Sequence, residues 1–435
     1  MRKLILFVGI VLSFIASQEA MAALNIELTQ GVAAAIPIAI VPFTQDGQVL
    51  PTDITTAIRN DLGNSGQFNV LASGAANQFP HTVGDVNTDY WRSKNVDDLV
   101  VGHVNALGNG QYQVSFSLIN LFNQAPNNVL LTQEYTVNQS ELRGVAHHIS
   151  DLIYQQLTGV RGIFSTKLAY VLVQRTASQA PQFKLMVSDA DGYNAKPILI
   201  SSQPIMSPAW SPDGQQISYV SFESYLPQIY VSTIANGQRR LITSFSGING
   251  APEWSPDGKN LAVALSKGGA NPNIYMLSMS SGKLTQLTND WSINTEPSWS
   301  KDGQTLLFTS DRGGSPQIYE MNLQTKAVQR LTFDGTYNAS ASFTSDGQNV
   351  VLLNRQSGQF NIGLLNLQSG NLQLLTRGGM NQSPSVAPNG KMVVYATKVA
   401  GKNLLAMVST DGKVNMQLPD QQGDVQEPAW SPFLN

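Results

Sequence analysis

The stretch "APEWSPDGKNLAVAL", residues 251–265, decides the fold because close variants of it recur along the chain. Its "SPDG", residues 255–258, predicts a type I β-turn, since proline presets φ at the second turn position and glycine suits the fourth. The apolar run after the turn predicts a strand. Related stretches are "PAWSPDG" at 208, "PSWSKDG" at 297, "ASFTSDG" at 341, "PSVAPNG" at 384 and "PAWSP" at 428.

The spacing of these copies predicts a ring of similar sheets. Successive copies are separated by 44, 45, 44, 43 and 44 residues, measured between Trp210, Trp254, Trp299, Phe343, Val386 and Trp430. A period of this size is typical of a solenoid or a propeller. Helical repeats share the period, but "NLAVALS" and "NVVLLN" are short strand-like runs, and no segment here carries a long helical periodicity. Each unit is therefore predicted to be a four-stranded antiparallel blade of an all-β propeller.

The two ends of the repeat region predict how the ring closes. The last copy, "PAWSPFLN", supplies one innermost strand before the sequence given ends. Three strands without such a partner precede the first full copy: "KLAYVLV" (167–173), "FKLMVSD" (183–189) and "KPILI" (196–200). Together they make a sixth blade, and pairing the carboxyl-terminal strand with them removes two exposed sheet edges.

The residues before the propeller predict a small mixed α/β domain, which we place at 23–160, with the propeller at 161–435. "IPIAIVPF" and "DLVVGHV" indicate buried strands, and "YQVSFSLINLF" with "VLLTQEYTV" an antiparallel pair. A helix is predicted from 52 to 62. A second helix begins at Asn138 and Glu141, in capping-box spacing, and ends at Gly159. Residues 73–87 are predicted to form a loop.

The start of the chain predicts export. Arg2 and Lys3 precede an apolar run over 4–15 and the small-residue site "AMA" at 20–22, the pattern of a signal peptide cleaved after residue 22. Without residues 1–22 the chain keeps 26 − 2 = 24 basic and 29 − 1 = 28 acidic residues, a net charge of −4. This balance argues against nucleic-acid binding. The absence of cysteine excludes disulfides and a cysteine-linked lipid anchor.

The sequence predicts no catalytic residue, cofactor or metal. All four histidines, His81, His103, His147 and His148, precede the propeller, which also has no cysteine, so most zinc or iron chemistry is excluded there. His147 and His148 are helix neighbours about 100° apart, too divergent to share one metal, and we expect both on a solvated helix surface. No metalloprotease, nucleophile-elbow or phosphate-loop motif is found.

Function is therefore expected on one face of the ring. The repeated Trp residues are predicted to pack between blades, and Asp213, Asp257, Asp302 and Asp346 to stabilise turns. The connections between blades and the second hairpins share the other face, and their sequences are longer and more varied. Basic residues in the second hairpins suggest a basic outer ring suited to an acidic partner segment: Arg175, Lys267, Arg312, Arg355, Lys398 and Lys402.

The order of motifs resembles the TolB family of the Tol-Pal cell-envelope system. The likeness rests on "VVGHV", "IMSPAWSPDG", "YVSFES", "NGAPEWSPDG", "NTEPSWS", "MVSTDG" and the closing "PAWSPFLN", and it covers essentially the whole chain. It implies a periplasmic, non-enzymatic scaffold that supports outer-membrane integrity and constriction during cell division. The implied site for the peptidoglycan-associated lipoprotein Pal comprises Ile248, Asn249, Gly250, Ala251, Asn294, Thr295 and Glu296.

The same resemblance implies a second partner. The mature amino-terminal stretch "ALNIELTQG", residues 23–31, would bind TolA by adding a strand to its sheet. The residues proposed to carry this contact are Ala23, Leu24, Asn25, Ile26, Glu27 and Leu28. Colicins or other hijacking proteins are further candidate partners. We expect a monomer that neither binds nucleic acid nor inserts into a membrane.

Two alternatives remain open from the sequence. Propellers with similar repeats also occur as gating domains of prolyl oligopeptidases and in some lyases, so a periplasmic propeller enzyme is the first. The peptidases need a nucleophile elbow, and the lyases metal-ligating histidines, which the propeller lacks. The second alternative is a module that binds a small ligand in the central channel.

Overall fold

The computed structural model describes residues 35–45, 52–125, 128–176, 179–267 and 271–434. The predicted signal peptide at 1–22 and the predicted TolA-binding segment at 23–31 lie outside these residues. Two parts follow one another along the chain, an α/β domain and a propeller, as the sequence predicts.

The α/β domain is built on one mixed sheet. Its strands are β1 Ile36–Ile40, β2 Thr44–Gln45, β3 Phe68–Val70, β4 Asp98–Gly108, β5 Gln111–Asn120 and β6 Val129–Asn138. The strand order is β3-β1-β4-β5-β6, with β2 paired to β4. The first pairings, β3 to β1 and β1 to β4, are parallel, whereas β4, β5 and β6 form an antiparallel meander. The predicted buried strands and the predicted antiparallel pair are confirmed.

Helices cover this sheet. They are α1 Ile54–Asn64, α2 Thr88–Ser93 and α3 Leu142–Thr158, with 3-10 turns at Val83–Asp85 and Gln139–Glu141. The predicted second helix is confirmed: Glu141 accepts a hydrogen bond from the Asn138 backbone N–H at 2.8 Å, and Gly159 ends α3 with φ 73°. α1 continues past its predicted end at 62, and the predicted loop at 73–87 contains the 3-10 turn at Val83–Asp85.

The prediction of two solvated histidines is wrong for one of them. His148 is exposed, as expected. His147, however, is only 2% exposed, and its Nδ1 lies 2.8 Å from the Asp61 carboxylate of α1. The reason is that this side of α3 is covered by α1 and by a turn of the propeller.

Six four-stranded sheets form the propeller, and each runs from an innermost to an outermost strand. Five of them are continuous in sequence: β10 Ile205–Trp210 to β13 Arg239–Thr243, β14 Asn249–Trp254 to β17 Leu284–Gln286, β18 Asn294–Trp299 to β21 Val328–Arg330, β22 Tyr337–Phe343 to β25 Leu372–Leu374, and β26 Asn381–Val386 to β29 Asn415–Gln417. Their middle strands are β11 Gln216–Ser221, β12 Gln228–Thr233, β15 Asn260–Leu265, β16 Asn273–Ser278, β19 Thr305–Ser310, β20 Gln317–Asn322, β23 Asn349–Gln356, β24 Gln359–Asn366, β27 Met392–Val399 and β28 Lys402–Ser409.

The sixth blade joins the two ends of the repeat region. It consists of β30 Asp424–Trp430, β7 Lys167–Thr176, β8 Gln179–Asp189 and β9 Lys196–Ser201, in that order. β30 and β7 are antiparallel, with Trp430 opposite Leu168, and the Trp430 indole N–H donates to Thr166 Oγ1 at 2.8 Å. The predicted closure is therefore confirmed.

The two faces of the ring differ in their connections. We call the face with the SPDG-type turns, at 211–214, 255–258, 300–303, 344–347 and 387–390, the turn face. The opposite face, which we call the loop face, carries the second hairpins and the connections between blades at 202–204, 244–248, 287–293, 331–336, 375–380 and 418–423. The α/β domain lies against the turn face, where Asn389 donates a hydrogen bond to the Arg161 carbonyl at 3.1 Å.

Candidate partner-binding face

All six innermost strands share one backbone irregularity. One residue in each adopts a positive φ between 45° and 52°, and the pairing register to the next strand shifts at that point. A bulge of this kind bends the strand and redirects a side chain. In five of the six strands the next residue is proline, and Ala341 replaces it in the other. The residues are Ser207, Ala251, Glu296, Ser340, Ser383 and Glu427.

These bulges line the central channel and bring carboxylates into it. The channel forms a cavity of about 590 Å³, and all six bulge residues line its wall. Glu296 accepts hydrogen bonds from the Ser340 backbone N–H at 2.9 Å, from Ser340 Oγ at 2.8 Å and from Thr309 Oγ1 at 2.7 Å. Ser340 belongs to the following blade, so the carboxylate joins two neighbouring blades.

Glu427 makes the corresponding contact across the closure. Its carboxylate accepts a hydrogen bond from the backbone N–H of Ser207, the bulge residue of the next blade. Burial raises the pKa of Glu427, the hydrogen bond from Ser207 opposes this, and the nearby charge of Glu296 raises it further. Two of the six blade junctions therefore carry an acidic link at the same level of the channel.

Glu253 is the third carboxyl group in the channel wall, and its environment differs. Among the described residues no hydrogen-bond donor reaches its carboxyl group, and burial alone raises its pKa to about 8. Burial therefore favours the neutral form of Glu253. Glu296 and Glu427, by contrast, each receive a hydrogen bond from a neighbouring blade.

Buried asparagines hold the connections between blades. They occupy one position of the repeat, five residues before the aligned Trp, Phe or Val: Asn249, Asn294, Asn338 and Asn381, all at most 3% exposed. Asn249 donates to the carbonyls of Phe245 and Gly247, at 2.6 and 3.2 Å. Asn294 donates to Asp290 Oδ1 at 2.9 Å and accepts from Arg312 at 2.9 Å. Satisfied buried amides of this kind make the loops rigid.

The predicted Pal-site residues take different places around the mouth. Ile248 is 47% exposed on the loop face, whereas the side chains of Asn249 and Asn294 point into their own loops. The half-buried remainder, Gly250, Ala251, Thr295 and Glu296, lies in the channel wall. Six of the seven predicted residues, all but Asn294, border the cavity of the central channel. Their backbone and the Ile248 side chain, rather than the asparagine amides, are accessible to a partner.

Exposed apolar side chains on the loop face were missed by sequence reasoning. Trp291 is 92% exposed, Tyr225 79% and Phe333 73%. The turns of the turn face carry one such residue among those described, Tyr193, which stacks on Arg143. Aromatic residues inside otherwise polar loops were the available signal. The loop-face residues are Met206, Tyr225, Leu226, Phe245, Ile248, Trp291, Ile293, Phe333 and Met380, and we call them the apolar rim.

The six basic residues predicted to form an outer ring lie in the second hairpins of the loop face, and acidic residues from nearby loops pair with three of them, while Lys398 is exposed. Arg312 lies 2.9 Å from Asp290, and Arg175 and Lys402 form ion pairs with Asp424 and Asp420. Two further basic residues contact aromatic rings instead: Lys267 lies over the ring of Phe245, and Arg355 lies over the ring of Phe360. The loop face therefore offers an apolar rim around an acidic channel.

The predicted structural roles of the repeated Trp and Asp residues are confirmed. The Trp299 indole N–H donates to the Glu253 carbonyl of the preceding blade at 3.2 Å. In the turn at 255–258, Asp257 Oδ1 accepts from Ser255 Oγ at 2.6 Å and from the Lys259 N–H at 3.0 Å. Asp213, Asp302 and Asp346 repeat this pattern.

Family profiles match both parts of the chain. The family described as "TolB beta propeller domain" matches residues 154–434, and "TolB amino-terminal domain" matches residues 24–127. The chain is 55% identical over 415 residues to "Tol-Pal system protein TolB" of Coxiella burnetii, covering 95% of this chain and 94% of that one. This chain belongs to the TolB family. Its relative in Legionella pneumophila strain Corby is 51% identical over 413 residues, covering 95% of this chain and 96% of that one.

A solved structure of the TolB family agrees with the fold. The crystal structure of TolB from Acinetobacter baumannii superposes with a TM-score of 0.85 at 38% sequence identity. The match covers 94% of this chain and all of the other. This member of the TolB family thus consists of an α/β domain and a six-bladed propeller. Among the helices of the described ranges, none has both the length and the apolar character needed to cross a membrane.

Proposed function

We propose that this chain is a periplasmic, non-enzymatic scaffold of the Tol-Pal system that binds Pal on the loop face of its propeller. In this proposal residues 1–22 are a cleaved signal peptide, 23–160 form the α/β domain with its TolA-binding segment, and 161–435 form the propeller. The apolar rim around the channel mouth is the observation that carries the Pal site. Family membership supports the assignment to the system.

The apolar rim has the properties of a protein-binding surface. Large apolar side chains that are exposed together on one face of a protein often mark an interaction site. Trp and Tyr are also the residues that most often dominate binding energy. The rim is carried on loops fixed by buried asparagines, so little conformational entropy is lost when a partner docks.

The charge of the face indicates how the partner binds. Three basic residues of the loop face are paired with acidic residues, Lys267 and Arg355 lie over aromatic rings, and Arg377 and Lys398 are exposed. In the channel, Glu296 and Glu427 accept hydrogen bonds from the next blade. We therefore expect Pal to bury apolar side chains against the rim. Its backbone or neutral polar groups would contact the channel mouth at Gly250, Ala251 and Thr295.

A charge placed in the mouth tests the Pal site. Thr295→Arg inserts a long cation into the channel wall, and we expect it to abolish binding of the purified, lipid-free Pal domain in isothermal titration calorimetry. Thr325→Arg is the matched control, because Thr325 is exposed in the turn between β20 and β21 on the turn face. Equal affinity of Thr295→Arg and Thr325→Arg would contradict the site. Circular dichroism spectra and Tm values confirm that both variants fold.

The TolA contact is proposed for residues 23–31. The alternating pattern of "ALNIELTQG" suits the addition of one strand to a partner sheet. Deletion of these nine residues from the mature chain should remove binding of the purified carboxyl-terminal domain of TolA and leave binding of Pal unchanged. Retained TolA binding would refute this assignment without touching the Pal site.

A further inference from the structure

A buried charge cluster connects the α/β domain to the turn face of the propeller. His147 of α3 lies between two carboxylates: its Nδ1 is 2.8 Å from Asp61 Oδ2 of α1, and its Nε2 is 3.7 Å from Asp191 Oδ2. Asp191 belongs to the turn between β8 and β9 of the propeller. The imidazole therefore faces one carboxylate of its own domain and one of the other.

The hydrogen bonding of the imidazole is incomplete. When Asp61 is ionised, its carboxylate can only accept, so His147 donates Nδ1–H to it and the neutral imidazole carries a lone pair on Nε2. His147 is 2% exposed, and among the described residues no hydrogen-bond partner reaches Nε2. A buried lone pair that faces a carboxylate oxygen is unfavourable. A proton on Nε2 would convert this contact into an attraction.

Apart from His147, the cluster contains one more carboxylate than it has permanent cations. Arg143 of α3 pairs with Asp191 and lies 3.3 Å from Asp189, and Lys167 of β7 also pairs with Asp189. Three carboxylates, Asp61, Asp189 and Asp191, thus face two permanent cations. The cluster has a formal charge of −1 when His147 is neutral and 0 when it is protonated.

A proton fits this site better than a metal ion. Asp61 and Asp191 approach opposite nitrogens of the ring, and the Asp191 oxygen that faces Nε2 already receives the Arg143 guanidinium. A cation between Nε2 and Asp191 would therefore gain two protein ligands among the described residues and lie beside a guanidinium. A structural metal ion usually needs four ligands.

We propose that His147 is a proton-operated latch between the two domains, in which protonation of Nε2 creates an ion pair with Asp191 and tightens the attachment of the propeller to the α/β domain. The latch consists of His147, Asp61 and Asp191, with Arg143 holding Asp191 in place. This inference does not depend on the proposed partners.

The direction of the pH effect follows from the electrostatics. Burial and, to a smaller extent, the charge of Arg143 lower the pKa of His147, but the hydrogen bond to Asp61 and the charges of Asp61 and Asp191 outweigh them and raise it above its ordinary 6.5. Burial also raises the pKa of Asp61, so the pair binds a proton more tightly in the assembled protein. The contact between the domains is therefore strongest below about pH 6.5 and weakens as the pH rises through the raised value.

Two measurements on the full mature chain test the latch. NMR of the imidazole signals gives the titration midpoint of His147, with exposed His148 as the internal reference. Because the chain has no cysteine, Gln133→Cys on β6 and Gln368→Cys between β24 and β25 provide a clean fluorophore pair for energy transfer between the domains. Each measurement is made from about pH 5 to about pH 9 in the otherwise unchanged chain and in Asp191→Asn.

We expect the His147 midpoint to lie above about 6.5 and to move to lower pH in Asp191→Asn, since the variant keeps the size of the side chain but removes its charge. Energy transfer should change with the same midpoint in the unchanged chain and should lose that pH dependence in Asp191→Asn. An unmoved midpoint, or a transfer efficiency that does not vary with pH in the unchanged chain, would overturn the latch.

Discussion

The two faces of the propeller are built from the same strands and differ in what their connections do. On the turn face, the carboxylates of Asp257 and of the equivalent Asp302 accept hydrogen bonds from residues of their own turns. On the loop face, the connections differ from blade to blade and expose Trp291, Phe333 and Tyr225. The uniform face is therefore structural and supports the α/β domain, and the variable face is free for a partner.

Two tryptophans illustrate how the two faces differ in exposure. Trp430 is 6% exposed near the turn face and donates its indole N–H to Thr166, whereas Trp291 is 92% exposed on the loop face. Substituting alanine at each position therefore tests which face contributes to the stability of the fold and which contributes to partner binding.

The largest expected effect is on stability. Trp430→Ala removes a buried aromatic ring at the closure of the sixth blade and should lower the free energy of unfolding of the propeller by about 3–5 kcal/mol. Trp291→Ala is the matched control and should change it by less than about 0.5 kcal/mol. Urea denaturation followed by tryptophan fluorescence and circular dichroism checks both. Equal losses would show that the apolar rim is part of the core.

The next effect is on binding, where Trp291→Ala should have the larger effect and Trp430→Ala the smaller one. Trp291→Ala should weaken the affinity for the lipid-free Pal domain by about 2 kcal/mol, about 30-fold in Kd, because exposed tryptophans of this kind are frequent binding hot spots. Trp430→Ala, measured at a temperature where it is folded, should keep the Kd of the unchanged chain. Calorimetric titration gives both values. An unchanged Kd for Trp291→Ala would remove this tryptophan from the Pal site.

A smaller effect is expected from the repeated turn. Asp257→Ala deletes the acceptor for Ser255 Oγ and the Lys259 N–H, and should cost about 1 kcal/mol of stability with no change in Pal affinity. Asp257→Asn keeps an acceptor oxygen and should recover most of that loss. Urea denaturation measures the stability, and a loss of Pal binding in Asp257→Ala would contradict the division between the faces.

The fold could be predicted from the sequence because its signals are local and repeated. The nearly constant spacing from Trp210 to Trp430 predicts the number of blades. The single strand at the carboxyl-terminal end and the three strands before the first full copy predict how the ring closes. The start and end of α3 are likewise set by neighbouring residues, Asn138, Glu141 and Gly159. None of these features depends on knowing what lies opposite in space.

The parts of the site that could not be predicted depend on distant neighbours. Arg175 looked like a free cation, but its partner Asp424 lies 249 residues away in sequence and meets it only when the ring closes. His147 looked solvated because nothing in its helix shows that the turn carrying Asp191 covers it. The resemblance implied that Asn294 contacts Pal, but its amide is buried and hydrogen-bonded to Arg312 of the next hairpin as well as to Asp290 of its own loop.

The channel that joins the two faces gives the last prediction, a pH effect centred on Glu253. Burial raises the pKa of this carboxyl to about 8, above its ordinary 4.5, so the folded state loses stability relative to the unfolded state as the pH rises from about 4.5 to about 8. Glu253→Gln keeps the shape of the neutral acid and cannot ionise. Its Tm should therefore equal that of the unchanged chain at about pH 5 and exceed it by a few degrees at about pH 9. Parallel Tm profiles over this range would mean that the channel keeps Glu253 hydrated, and that its carboxyl group behaves as part of the open mouth rather than of the closed wall.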